Sequence, residues 1–211
     1  MFDTTTLLAY TAAAAVLVLI PGPGTAWIVA QSASGGVRRG AQAALGLETA
    51  TLIHAVAAGL GLSAVLATSA LAFEIVKYAG AAYLVWLGIQ AWRERDPAAD
   101  PSAAPVVAVP ARQVFLRSVL TGVLNPKVAL FFLAFLPQFV DPARGAVPLQ
   151  FLLLGLILSA IGLCHSLLLS WLVGRMGRRF AGSARGARWM RRITGSVFIA
   201  LGLRLATQSR T

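Results

Sequence analysis

The sequence predicts an all-α, polytopic membrane protein with six transmembrane helices in two inverted three-helix repeats, the first and fourth spans being broken. Three observations carry that prediction. The 211 residues are 58% hydrophobic and only 12% charged, with a mean hydropathy of +0.77; a soluble domain carries about a quarter charged residues. The apolar residues fall into runs of the length a bilayer asks for, about 20 residues each. Two of those runs are interrupted by proline, and they stand at corresponding places in the two halves of the chain.

From Thr4 to Val37 there is no charged residue, and the run is too long for one straight span. Pro21-Gly22-Pro23-Gly24 divides it, because proline lacks an N–H and glycine disfavours helix. The first span is therefore read as a broken helix whose second segment starts near Thr25. Arg38 and Arg39 end it. A second run, about Gly40 to Leu66, contains Glu48 and His54. The third, about Phe73 to Trp92, begins with Glu74 and Lys77, three apart on one helix face and expected to form a solvated pair at the rim. Arg93, Glu94, Arg95 and Asp96 close it.

Residues 96–112 hold Pro97, Pro101, Pro105 and Pro110 among Ala, Ser and Val, and read as a cytoplasmic linker of polyproline character. It separates a first repeat, 1–95, from a second, 113–211. The second repeat opens with the stretch most at odds with a plain span, Phe115 to Val140. From Ser118 to Val140 its only charge is Lys127, inside Asn125-Pro126-Lys127. Proline there clashes with the carbonyl four residues back, that of Gly122, and breaks or kinks the helix. Asn125 as N-cap and Pro126 at the first helical position restart it. A helix restarting inside the membrane presents unpaired N–H groups and a positive dipole end at that depth. Lys127 lies about ten residues, or roughly 15 Å, from Arg117. Ionisable groups at that depth usually mark function. A kinked helix with a snorkelling lysine is the plainer alternative.

After a short loop with Asp141, Pro142, Arg144 and Pro148, the fifth run, Leu149 to Gly174, has His165 as its only ionisable group. Gly155, Ser159, Gly162, Ser166 and Ser170 along it predict close helix approach. His165, beside Cys164 and Ser166, reads as packing. A strongly basic loop leads to the sixth run, about Trp189 to Gln208, interrupted by Arg204.

Basic residues orient the chain. Arg38 and Arg39, then Arg93, Arg95, Arg112 and Arg117, then the arginines from Arg175 to Arg192 all fall in the odd loops, against Arg144, Arg204 and Arg210 opposite. The odd loops are thus expected in the cytoplasm and both termini outside. Trp92, Trp171 and Trp189 sit near the cytoplasmic ends of their spans, as an aromatic belt does. The net charge of +11 reports this topology and attraction to anionic lipid. No nucleic acid is expected as a partner. A single cysteine, Cys164, excludes an internal disulfide and a CxxC site. The start carries Asp3 and no basic region, so the first run is expected to be retained.

Paired interrupted spans are the sequence pointer to a transporter's midplane site. The candidate substrate-binding residues are therefore Pro21, Gly22, Pro23, Gly24, Asn125, Pro126 and Lys127. Half-helix N-termini after Pro23 and Asn125, together with Lys127, would meet a carboxylate. Glu48 could pair with Lys127, meet a substrate ammonium or carry a proton. His54, sharing a face with Thr51, could bond a neighbouring helix or relay protons. These groups are too few to name a reaction, so no enzyme, cofactor or resident metal is expected.

The chain resembles the LysE/RhtB family of amino-acid exporters. The resemblance rests on PGPG in the first span, on Lys77 with Gly80-Ala-Ala-Tyr83-Leu84 and Gly88 in the third, and on NPKVALFFLAFLPQF in the fourth. It implies an inner-membrane exporter of amino acids or close derivatives driven by the proton gradient, with membrane lipids around it; a homo-oligomer is compatible with it. The family often carries glycines after Gly46, where this chain has Glu48-Thr49-Ala50. The substrate is expected among small or hydrophobic amino acids or homoserine-type derivatives. Export of a metal ion or toxic metabolite, or a role as a membrane assembly partner, are the alternatives.

Overall fold

The computed structural model describes residues 2–68 and 110–176, with isolated helical positions between 75 and 93 and between 192 and 203. The described residues are helical and contain no strand. The expected Glu74–Lys77 pair, the proline-rich linker, the basic fifth loop and most of the third and sixth runs lie outside them.

Helix α1, Thr4–Leu19, starts at Asp3, whose carboxylate accepts hydrogen bonds from the Thr6 amide at 2.7 Å and the Thr6 hydroxyl at 3.0 Å. Those bonds, and more weakly Arg144, hold the Asp3 carboxyl below its ordinary value of 3.8. A depressed folded-state pKa means the cap is fully present above the unfolded value and is lost as pH falls through the folded one. Asp3→Ala should therefore speed amide exchange over the first turn of α1 at neutral pH, with wild type and variant converging in acid. Equal protection at neutral pH would contradict the cap.

Helix α2, Pro23–Thr68, is one element with a break at Gly35 and Gly36. Gly36 has φ +72° and ψ −172°, a conformation that side chains disfavour. The chain turns there, between Ser34 and Arg38. The restart near Thr25 is corrected by two residues: Pro23 occupies the first helical position, where its missing N–H is an orphan in any case, and Ala26 N–H bonds Gly22 O at 2.9 Å. Only Ile20, Pro21 and Gly22 form the break.

Helix α3, Ala111–Val123, leads to the second break, and α4, Pro126–Leu130, restarts after it. The helix does not run on evenly to Val140. Phe131–Phe135 form a wide, π-type turn and Leu136–Phe139 a tight 3₁₀ turn around Pro137. The α3 pair with 126–139 bends by 46°. Helix α5, Val147–Met176, completes the described core. Residues 23–61 and 147–175 are long and apolar enough to cross a membrane, and the bent α3–α4 pair is a third such unit.

Small residues set the packing. Along α2 and α5, Gly59 meets Pro148 and Phe151, Ala55 meets Gly155, Glu48 meets Gly162, Gly40 meets Ser170 and Val37 meets Gly174. The pairing descends one helix as it climbs the other, so α5 runs antiparallel to the second part of α2. Gly46 against Ser118 and Ala50 against Gly122 place α3 parallel to it. Without a hydrophobic drive between helices in lipid, such close backbone approach is what holds them. The close approach expected of Gly155 and Gly162 is present. Against this seam pack Tyr10, Phe131, Phe132, Phe135, Leu136, Phe151 and Leu154, all buried. The Tyr10 hydroxyl donates to Leu154 O at 2.8 Å, which satisfies its polar tip. Leu8, Leu60, Leu120, Leu124 and Leu168 point outward, as on a lipid-facing surface.

Candidate transport site

Each break is built by its local sequence. At the second, the Asn125 side chain accepts from the Lys127 amide at 3.1 Å, and Pro126 takes the first helical position. Asn125 is buried, at 6% exposure. Its backbone N–H bonds Gly122 O at 3.1 Å. His54 Nε2 lies 3.4 Å from the same Gly122 oxygen, the carbonyl that Pro126 deprives of its usual helical partner. The His54 ring stacks on Phe132, 5.9 Å between centroids.

At the first break, α1 ends at Ile20, whose amide still bonds Val16 O. The Ile20 carbonyl, at the negative end of α1, accepts a hydrogen bond from Lys127 Nζ at 2.6 Å. Lys127 thus joins the two broken spans, 107 residues apart in sequence. Its stem passes Gly22, where a Cβ would stand 3.5 Å from Lys127 Cδ.

A cavity of about 90 Å³ opens between the breaks. At 10–15 Å³ per water this is space for several waters. Gly22, Gly24 and Thr25 come from the first break, Glu48 and Thr51 from α2, Asn125 and Lys127 from the second break, and Gly162, His165 and Ser166 from α5. Leu17, Val18, Ile28, Leu47, Val128 and Leu158 supply apolar wall. The Glu48 carboxylate lies near the hydroxyls of Ser159 and Thr51 and against Gly162. Glu48 and Lys127 share the cavity, but among the described residues no ion pair joins them; Lys127 donates instead to the Ile20 carbonyl.

Of the residues expected from sequence, Gly22, Gly24, Glu48, Asn125 and Lys127 come together on this cavity. Pro21, Pro23 and Pro126 shape the breaks without lining it, and His54 braces the second break from outside. His165, expected to be packing, is on the cavity wall and within electrostatic reach of Lys127. Ser159 was expected only to permit close approach and faces Glu48. A signal for both existed: His165, Ser166 and Gly162 lie within one turn of α5, which would put a histidine beside a glycine notch. Nothing local said which helix that turn would face.

The LysE type translocator family matches residues 15–209. Among individual proteins, one from Vibrio cholerae described as an uncharacterized membrane protein is 38% identical over 95% of this chain and 96% of its own. The homoserine/homoserine lactone efflux protein of Salmonella typhi is 33% identical over 94% and 95%. The leucine efflux protein of Klebsiella pneumoniae is 30% identical over 98% and 97%. No solved structure matches.

Proposed function

The chain belongs to the LysE type translocator family, and from that premise we propose that it exports amino acids or close derivatives across a bacterial inner membrane, driven by protons, by alternating access around the cavity between the two breaks. The observation that carries this reading is the Lys127–Ile20 link across a cavity that also holds Glu48. A substrate carboxylate would replace the Ile20 carbonyl on the Lys127 ammonium, so that both partners of the bond are charged where only the donor was before. The half-helix amides that follow Pro23 and Asn125 add positive potential. Glu48 would meet the ammonium or exchange a proton, with His165 as a second ionisable wall. The apolar wall suits a small or aliphatic side chain, and relatives named for leucine and homoserine efflux accord with that range.

The architecture proposed is six spans in inverted 3+3 halves, odd loops cytoplasmic and both termini outside. The parallel run of α2 and α3 supports it, since an odd number of crossings must then lie between them, as one third span would provide. The breaks near Pro21 and Pro126 support the repeat.

The test is efflux from proteoliposomes preloaded with mixed amino acids, with and without an imposed pH gradient. Loss of one or a few amino acids, faster with the gradient, is the expected result. Retention of every amino acid under the gradient would turn the reading toward another solute.

A further inference from the structure

A second cavity, of about 110 Å³, lies at the start of α1, between Asp3 and Thr6 on one side and Gln138, Phe139, Asp141 and Arg144 on the other. Its relation to the transport cavity is the same along both elements. On α1, Asp3 and Thr6 are followed by Tyr10 and then by Leu17 and Val18 of the transport cavity. On the fourth span, read backwards, Asp141 and Gln138 are followed by Phe135 and Phe131 and then by Val128 and Lys127. Thr6 and Leu17 stand roughly 16 Å apart at helical rise. Aromatic rings fill that interval. Tyr10 meets Phe139 edge-on at 5.2 Å and Phe131 at 6.2 Å, and Phe135 stands 5.2 Å from Phe131 and 5.4 Å from Phe139. Val18 and Val128 of the transport cavity and Phe139 and Val140 of the second cavity join the same apolar cluster as these rings.

Helix α1 is attached differently from its neighbours. It contains no glycine, and the close glycine contacts that lock α2, α3 and α5 involve none of its residues. Side chains hold it instead. Arg144 Nη2 lies 3.6 Å from Asp3 Oδ2 at its start, Tyr10 donates to Leu154 O in its middle, and Lys127 donates to Ile20 O at its end. The chain then leaves through the break at Ile20–Gly22. The opposing wall is fixed: buried Gln150 of α5 accepts from the Asp141 amide at 3.0 Å and donates to Asp141 O at 2.9 Å and Gly145 O at 2.7 Å. Arg144 is carried on that fastened loop, its Nε donating to Asp141 Oδ2 at 3.0 Å. A helix held by side chains and joined at a break can swing as a unit without opening a backbone seam.

We infer that α1 is a gate: it hinges at Ile20–Gly22, its Tyr10 closes against Phe131, Phe135 and Phe139, and the transport cavity is thereby shut on the side of the membrane that holds the N-terminus. The Asp3–Arg144 pair is its latch. Both side chains of that pair are about half exposed, and ion pairs so placed contribute little, so the ring contacts carry the closure. Withdrawal of Tyr10 from Phe131 and Phe139 joins the two cavities into one path, with Asp3, Asp141 and Arg144 at its mouth. The gate's part in export rests on the transport reading above; the closure itself does not.

The experiment uses the full chain with Cys164→Ser, since Cys164 is exposed, and with Ser166→Cys as a reporter thiol on the transport cavity. A membrane-impermeant thiosulfonate is applied to right-side-out and to inverted vesicles, and the rate of thiol modification is measured from each face. Tyr10→Ala should raise the rate from the N-terminal face at least about tenfold, two ring contacts being lost, and leave the rate from the other face unchanged. An unchanged rate from the N-terminal face overturns the gate, and so does an equal rise from both faces, which reports a loosened fold. A second variant tests the motion: Asp3→Cys with Arg144→Cys, in the Cys164→Ser chain, bridged by a cleavable bis-maleimide. Efflux of mixed amino acids from proteoliposomes should stop on bridging and return on cleavage. Undiminished efflux from the bridged protein overturns the gate. One-sided labelling as expected in a protein that moves no amino acid upholds the gate and overturns the amino-acid reading alone.

Discussion

Lys127→Ala is expected to reduce export roughly 10- to 100-fold, which corresponds to loss of a charge-assisted hydrogen bond of about 1.5–3 kcal/mol. The ammonium donates to Ile20 O at 2.6 Å, and Ile20 is 4% exposed. Truncation leaves that carbonyl at the end of α1 without its donor and removes the cation that would receive a substrate carboxylate. The two broken spans also lose the link that ties them in this state. Membrane insertion should persist, because the apolar runs are untouched and a central charge is itself costly to insert, at about 2.5 kcal/mol. Lys127→Met separates charge from bulk: the stem past Gly22 is kept and the donor is lost, so export should fall nearly as far. Efflux rates normalised to protein in the membrane are the measurement. Rates near wild type for both variants would remove Lys127 from the site. Asn125→Ala with Pro126→Ala should have the same sign, since the N-cap and the break are lost together.

Gly162→Ala should abolish gradient-driven export while lowering stability only slightly, and Gly155→Ala should do the reverse. A Cβ at Gly162 would stand 2.5 Å from Glu48 Oε1 and 2.9 Å from Oε2. Those atoms are the end of a flexible side chain, so the fold can yield by rotating the carboxylate away from Ser159. The helices stay together and Glu48 leaves its place. At Gly155 the same methyl overlaps Ala55 Cβ, which is fixed to the α2 backbone. There the helices themselves must part, and overpacking of this kind costs typically about 1–3 kcal/mol. Thermal unfolding in detergent beside efflux from proteoliposomes distinguishes the two. A Gly162→Ala protein that exports normally would mean that the position of the Glu48 carboxylate is immaterial.

The contrast between these glycines shows where legibility in the sequence ends. Pro21-Gly22 and Asn125-Pro126 could be read as breaks because their effect is covalent and local: a missing N–H, a ring against a carbonyl, an amide side chain bonding the N–H two residues on. The Asn125 cap and the position of Pro126 are found as expected for that reason. The apolar runs could be read because lipid imposes length and polarity on any helix, whatever its neighbours. The π-type turn at Phe131–Phe135 could not, since it sits in an even apolar run and is shaped by packing against Tyr10 and Phe139.

The same division holds at the site. The sequence by itself determined the all-helical membrane character, the two interruptions and the isolation of Glu48 and Lys127 within apolar runs. Only the tertiary structure decided that Lys127 reaches Ile20 rather than Glu48, that His54 braces Gly122, and that His165 and Ser159 turn toward the cavity. Those choices depend on which residue of α5 falls opposite which residue of α2, a register set by small residues across a seam. Helix periodicity assigns a face to each residue, but the partner of that face is chosen by shape complementarity between distant segments.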